Sequence, residues 1–283
     1  MIDFVKINYT DKNYQLPTTK TDFIISVNNE TGETDGKKSG NFHGMEIIKF
    51  QSERTLIKGS IHKFYNRTDF NGNDFDLANL YTAIEDLNNE IHLHPDFSKL
   101  ENIEIGVNIQ LPFCPNYLLR NLLFHRTAGF DKTISGAYYY QSKKNEYIIK
   151  IYNKTAQYQR KQTEIKAQLK QNKLQPPERK RLEFLQSTID RQLKPYTMRF
   201  EIKFLKMNVL NDLGLVTISD LLKPEIFSQF KKMLLNEFQE IYFYDYTTDE
   251  NKMTSSEQIK IKDYRNPNYW QNLNRDKKKY EYP

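Results

Sequence analysis

The chain has 283 residues, enough for one enlarged domain but short for two. Lys and Arg number 42 against 36 Asp and Glu; the net charge of +6 and isoelectric point near 9.0 favour an anionic partner without choosing between nucleic acid and a membrane surface. Hydrophobic residues at 38 % and aromatics at 13 % argue against wholesale disorder, and a single cysteine, Cys114, excludes an intramolecular disulfide and any multi-cysteine zinc site.

The opening MIDFVKINYT lacks the basic start and apolar run of a signal peptide. No stretch reaches the roughly 20 apolar residues that span a bilayer, so a soluble, cytoplasmic protein with no membrane partner is expected. Strand-like segments rich in β-branched and aromatic residues fall at 2–9, 22–27, 43–50 and 55–65. Between Asn28 and Gly40 the chain is polar, with Asn29, Gly32, Asp35 and Gly36, and reads as turn or loop. A helix is predicted at about 75–91, capped by Asp74, because Leu77, Leu80, Ile84, Leu87 and Ile91 recur at helical spacing.

Residues 102–110 alternate: Ile103, Ile105, Val107 and Ile109 point one way, and Asn102, Glu104, Asn108 and Gln110 the other. A short helix at 116–124 and strands near 136–141 and 146–152 follow. The stretch 154–195 carries 11 Lys/Arg and 4 Asp/Glu, a net of +7, with Pro176-Pro177 at its centre, and reads as a basic hairpin of two helices. Met198, Phe200, Ile202 and Phe204 then alternate with Arg199, Glu201 and Lys203, a half-buried strand. A helix at 224–239 begins at Pro224 with a stripe of Phe227, Phe230, Leu234 and Phe238, and a strand at 240–246 closes the fold. From Thr247 onward a polar, basic tail is expected.

Three of these strands set polar groups opposite an apolar face: Glu104 and Asn108 on the first, Lys150, Tyr152 and Lys154 on the second, Arg199 and Glu201 on the third. Paired in one sheet, they would bring carboxylates, an amide and cations together. Hard oxygen ligands of this kind hold Mg²⁺ or Mn²⁺, and cations offset phosphate charge. The plainer reading is the solvated face of an antiparallel sheet.

The run Tyr139-Tyr140-Gln141-Ser142-Lys143-Lys144, leading into Ile149-Lys150-Ile151-Tyr152-Asn153-Lys154, resembles the nicking-tyrosine segment of the replication initiation factor family of plasmids and phages. Glu104-Ile105-Gly106-Val107-Asn108 resembles that family's Asp-Ile-Ala-x-Asp strand, and Met198-Arg199-Phe200-Glu201 its Arg-Phe-Glu strand. The likeness extends loosely from about residue 40 to 245. It implies Tyr139 as nucleophile, Glu104, Glu201 and Asn108 as metal ligands, and Lys143, Lys144, Lys150, Lys154 and Arg199 as DNA-binding cations. Gln141 stands where the family has Gly, and Glu104 and Asn108 where it has Asp. Because Tyr138, Tyr139 and Tyr140 are consecutive, the nucleophile's register is open by one; strand alternation sets Tyr139 opposite its neighbours.

The resemblance implies covalent catalysis: the tyrosine oxygen attacks phosphorus, a 5′-phosphotyrosine forms, and the freed 3′-OH primes rolling-circle synthesis. It implies single-stranded or cruciform origin DNA as substrate, a host helicase and polymerase as partners, and is compatible with a homodimer. A mobilisation relaxase with the same chemistry, or a non-catalytic DNA-binding replication regulator, are the alternatives.

The expected fold is α/β (α+β): a central, mostly antiparallel sheet with helices on one face, like the HUH endonucleases, and an inserted helical hairpin at about 155–194. The expected organisation is a nicking domain over 1–246 and a tail over 247–283. His92-Leu93-His94 spells a His-hydrophobic-His metal signature but runs into Pro95, which suits a loop. His62 is placed on a strand from Ile57 to Phe64, where it either reaches the polar face or is an ordinary strand residue. The basic hairpin is either a grip on DNA phosphates or a solvated charged helix pair.

Overall fold

A computed structural model describes residues 2–9, 22–27, 30–52, 54–126, 128–133, 136–141, 146–171, 174–245, 249–266 and 269. The protein is mixed α/β, with extensive antiparallel sheet and helices, and divides into two compact units. The first comprises Met1–Val107, Ser142–Ile148 and Glu201–Lys232; the second Asn108–Gln141, Ile149–Phe200 and Met233–Pro283.

In the first unit the strands are β1 (Ile2–Tyr9), β2 (Phe23–Val27), β3 (Thr34–Phe42), β4 (Met45–Phe50), β5 (Thr55–Ser60) and the start of β6 (Ser98–Leu111). β1 pairs antiparallel with β5 on one side and β6 on the other, and β5, β4, β3 and β2 follow in turn. Helices α1 (Ile61–Asn66) and α2 (Leu77–Ile91) connect β5 to β6. Val5, Ile7, Ile57, Ile103 and Ile105 are fully enclosed in the core, to which α2 adds Leu80, Leu87 and Ile91. Burial of each such side chain contributes about 1.5–3 kcal/mol.

The second unit holds α3 (Pro115–Leu119), β7 (Leu122–His125), β8 (Ala128–Gly129), β9 (Asp131–Lys132), β10 (Tyr138–Gln141), most of β11 (Tyr147–Asn153), α4 (Lys154–Leu169), α5 (Pro176–Gln192) and the start of β12 (Tyr196–Phe204). Its α6 (Pro224–Gln239) is shared with the first unit, and β13 (Ile241–Phe243) pairs with β7 in a three-stranded sheet with β8. A last helix, α7 (Ser255–Tyr264), opens on a capping box between Thr254 and Glu257. The stretch from Thr247 therefore includes regular structure, where the composition alone suggested only a tail.

Several elements depart from the expectations. Residues 34–40 of the polar stretch 28–40 are strand, because β3 pairs with β4 from Lys37 to Phe42 and with β2 on its other side, and backbone ladder bonds do not require apolar side chains. The segment 61–65 is helix, not strand: Ser60 turns the chain by accepting a hydrogen bond from the Lys63 amide. Helix α2 is capped by Asp76 rather than Asp74, in a reciprocal capping box with Asn79. Strand β6 is enclosed on both faces from Asn102 to Gly106, while Val107, expected inward, is exposed. Strand β12 is likewise enclosed on both faces from Thr197 to Ile202. Strand β13 is shorter than the 240–246 expected and joins the small sheet.

The basic stretch forms two helices, α4 and α5, packed on each other, with Tyr158, Ile165, Leu185 and Ile189 buried. Asn153 caps α4 by accepting from the Ala156 amide, and Pro176 and Pro177 open α5 in the first turn, where a missing N–H costs nothing. No described helix is long and apolar enough to cross a membrane.

Candidate metal centre

Three carboxylates meet in the first unit: Asp3 on β1, Glu104 on β6 and Glu201 on β12. Each offers an oxygen within 4.8 Å of the others, and all three are buried, at 4 %, 7 % and 3 % exposure. Glu104 and Glu201 are the acids singled out from the sequence. Asp3 was missed.

A bulge explains both its place and why it escaped notice. Phe4 lies opposite Glu104 but Ile2 lies opposite Ile105, so Asp3 is an extra residue in β1 with no partner of its own in β6. A regular strand would put Ile2 and Phe4 on one face. The bulge instead leaves Ile2 with the core and aims Asp3 toward Glu104. The available signal was an acid inside the apolar strand Ile2-Asp3-Phe4-Val5.

The Asp3 carboxylate is fixed from two sides. The Ser60 hydroxyl donates to one oxygen at 2.5 Å, and the Asn71 amide donates to the other at 2.7 Å. Ser60 lies directly opposite Phe4 on β5. Further along β12, the Lys203 ammonium sits 4.5 Å from the centre of the Phe4 ring, bringing one positive charge to the neighbourhood.

Carboxylates at this separation repel by roughly 3–4 kcal/mol per pair at an effective dielectric constant near 20. Neighbouring donors offset part of this. A divalent ion offsets it with two charges and takes oxygen ligands at short range, so the donor set could hold a metal ion of the hard class.

The remaining predicted residues that the structure describes lie in the second unit. Asn108 is half-buried, and its side-chain oxygen accepts a hydrogen bond from Arg199 at 3.0 Å. Arg199 and Lys154 are enclosed, at 0 % and 1 % exposure, and the Lys154 ammonium lies 5.4 Å from the Tyr158 ring and 5.8 Å from the Tyr152 ring. Lys150 is half-buried on β11. Tyr139 is half-buried on β10, opposite Asp131 of β9. Lys143 and Lys144 lie outside the described residues.

The two tyrosines beside Tyr139 are engaged with neighbours. Tyr138 lies under the Lys132 ammonium at 5.5 Å. Tyr140 packs against the buried His125 ring at 4.6 Å, and burial pushes its hydroxyl pKa up, with Arg126 opposing and Glu237 adding to the shift. A phenol held protonated by burial is the poorer nucleophile.

Among the described residues, the group of side chains that could hold a metal includes no histidine. His62 is in α1, buried, 2.9 Å from the Asn73 side-chain oxygen and stacked on Phe75, so its placement on a strand is overturned by the Ser60 turn. His92 closes α2 in the left-handed conformation at φ 56°, and His94 accepts from the Asp96 amide to cap a short turn. His125 lies 2.9 Å from Glu237, whose other oxygen accepts from Arg126 at 2.8 Å. Burial works to raise the Glu237 pKa, but the His125 hydrogen bond and the Arg126 charge outweigh it and hold the carboxyl below its ordinary value.

No protein-family model, curated protein or solved structure matches the chain.

Proposed function

We propose that this protein is a metal-dependent DNA-nicking enzyme of the kind that initiates rolling-circle replication, with an HUH-endonuclease-like arrangement of the sheet. The observation that carries the reading is the enclosure of Glu104 and Glu201, picked from the sequence as metal ligands, with a third carboxylate, Asp3, on adjacent strands. The motif run around Tyr139 supplies the nucleophile.

In this reading Asp3, Glu104 and Glu201 would hold Mg²⁺ or Mn²⁺, and a bound ion would supply Lewis-acid polarisation of the scissile phosphate. Asp3 is oriented for that task by Ser60 and Asn71. The Tyr139 oxygen attacks phosphorus, its proton passing to solvent; the P–O3′ bond breaks, and the departing oxygen takes up a proton as the free 3′-OH. The 5′ phosphate stays on Tyr139, and the bond's energy is conserved for a later transfer. Origin DNA, single-stranded or cruciform, is the substrate, with a host helicase and polymerase acting on the primer.

Incubating the protein with a 3′-labelled pool of single-stranded DNA and Mn²⁺ tests this. A labelled adduct stable in detergent, absent in EDTA and absent in Tyr139→Phe, is the expected result. An adduct that survives Tyr139→Phe but is lost in Tyr138→Phe or Tyr140→Phe would move the nucleophile by one residue. No adduct with any tyrosine intact would overturn the reading.

A further inference from the structure

Helix α5 carries an outer face that its packing on α4 does not account for. Its apolar residues Leu182, Leu185 and Ile189 form the stripe toward the partner helix, with Leu185 and Ile189 buried. Phe184 is the only other large apolar residue of the helix, and it is 61 % exposed. At 100° per residue it points about 100° away from Leu185. Lys180, Arg181 and Arg191 are exposed and fall with it in an arc of about 100°, over some 16 Å of helix axis. Glu178, Glu183 and Asp190 fall outside that arc. None of the three cations has an ion-pair partner among the described residues.

A single exposed phenyl ring is ordinary; one set among three unopposed cations on an otherwise polar helix is a specific chemical pattern. It matches a ligand that alternates flat π-faces with negative charges. Unpaired nucleobases stack on aromatic rings, and the phosphates between them meet Lys and Arg. A duplex hides its base faces and would use the cations alone.

We propose that the Lys180–Arg191 face of α5 binds single-stranded nucleic acid, with a base stacked on Phe184 and backbone phosphates at Lys180, Arg181 and Arg191. This deepens the nucleic-acid reading above by adding a holding surface that takes no part in bond cleavage.

Fluorescence anisotropy of the full chain with a labelled oligothymidine of about twenty nucleotides, in EDTA and over a range of salt, tests it. Phe184→Ala is expected to weaken binding about tenfold without changing the salt slope, and Phe184→Trp to restore it. Lys180→Gln and Arg191→Gln should each reduce the slope of log K against log salt by about 0.7. A matching duplex should be indifferent to Phe184→Ala, and circular dichroism should show all variants folded. The proposal is overturned if the oligothymidine does not bind, if Phe184→Ala leaves its affinity unchanged, or if anionic phosphatidylserine vesicles and not the oligonucleotide depend on these residues. Because EDTA removes any metal, binding is read here apart from cleavage: Phe184-dependent binding in EDTA, together with no adduct in the Mn²⁺ assay above, would sink the nicking reading alone. An adduct with Phe184-independent binding would sink this surface alone.

Discussion

In the first unit three carboxylates are drawn out of water to within 4.8 Å of one another; in the second, the cations of α5 stand in solvent around an exposed ring. The difference lies in what holds each group of charges. Asp3 has a bulge behind it and two hydrogen-bond donors on its oxygens, so its position is fixed before any ligand arrives. The α5 cations are held by their backbone alone, on flexible stems that keep their hydration. A pre-set enclosed cluster suits a small hard ion that demands geometry, whereas solvated cations suit a long polyanion that demands only sign and spacing.

The sharpest way to break this comparison is to remove one enclosed carboxylate. At a Mn²⁺ concentration a hundred times its Kd, bound metal adds about 2.7 kcal/mol of stability, visible as a rise in Tm over the EDTA sample. Glu104→Gln or Glu201→Gln should abolish most of that rise, and a wild-type chain whose Tm ignores Mn²⁺ would reduce the cluster to a structural one.

Next in size is Gly59→Ala on β5. A Cβ there would lie 2.7 Å from the Gly44 carbonyl oxygen and 2.8 Å from the Met45 sulfur, and backbone cannot withdraw as a side chain can. About 1–3 kcal/mol of destabilisation is expected in urea denaturation, and with it weaker Mn²⁺ binding, since β5 carries Ser60 to Asp3.

The half-buried acid Asp220 gives a smaller, pH-dependent effect. Burial works to raise its pKa, but the Lys223 hydrogen bond and the Thr217 and Val216 amides bring it down to about 2. A lowered folded-state pKa means its stabilisation is complete above the unfolded value and is lost as pH falls toward 2. Asp220→Asn should therefore flatten that part of the acid limb and leave stability near pH 3 less sensitive to acid. Smallest of all, Lys180→Gln on α5 should change stability by no more than about 0.5 kcal/mol while shifting oligonucleotide affinity, the signature of a residue that serves a partner and not the fold.

How much of this could be read from the residues depended on whether local pattern and tertiary environment agreed. Helix α6 and the acids Glu104 and Glu201 were legible because their spacing follows one period throughout. Strand β3 was not, since polar residues paired on both sides carry no apolar signal. The segment 61–65 misled because Ile61, Phe64 and Tyr65 suit either strand or helix, and Ser60 decided between them. Asp3 was out of reach because reading faces from alternation assumes an unbroken ladder, and a bulge cancels that assumption at the residue where it occurs.

Ser60 ends β5, accepts a hydrogen bond from the Lys63 amide to begin α1, and donates its own hydroxyl hydrogen bond to Asp3. One oxygen thus belongs at once to a strand, a helix and the acidic cluster. Any ligand that tightens Asp3 tightens the first turn of α1 as well, so the solvent exchange rate of the Lys63 amide becomes an internal gauge of occupancy, readable without touching the carboxylates themselves.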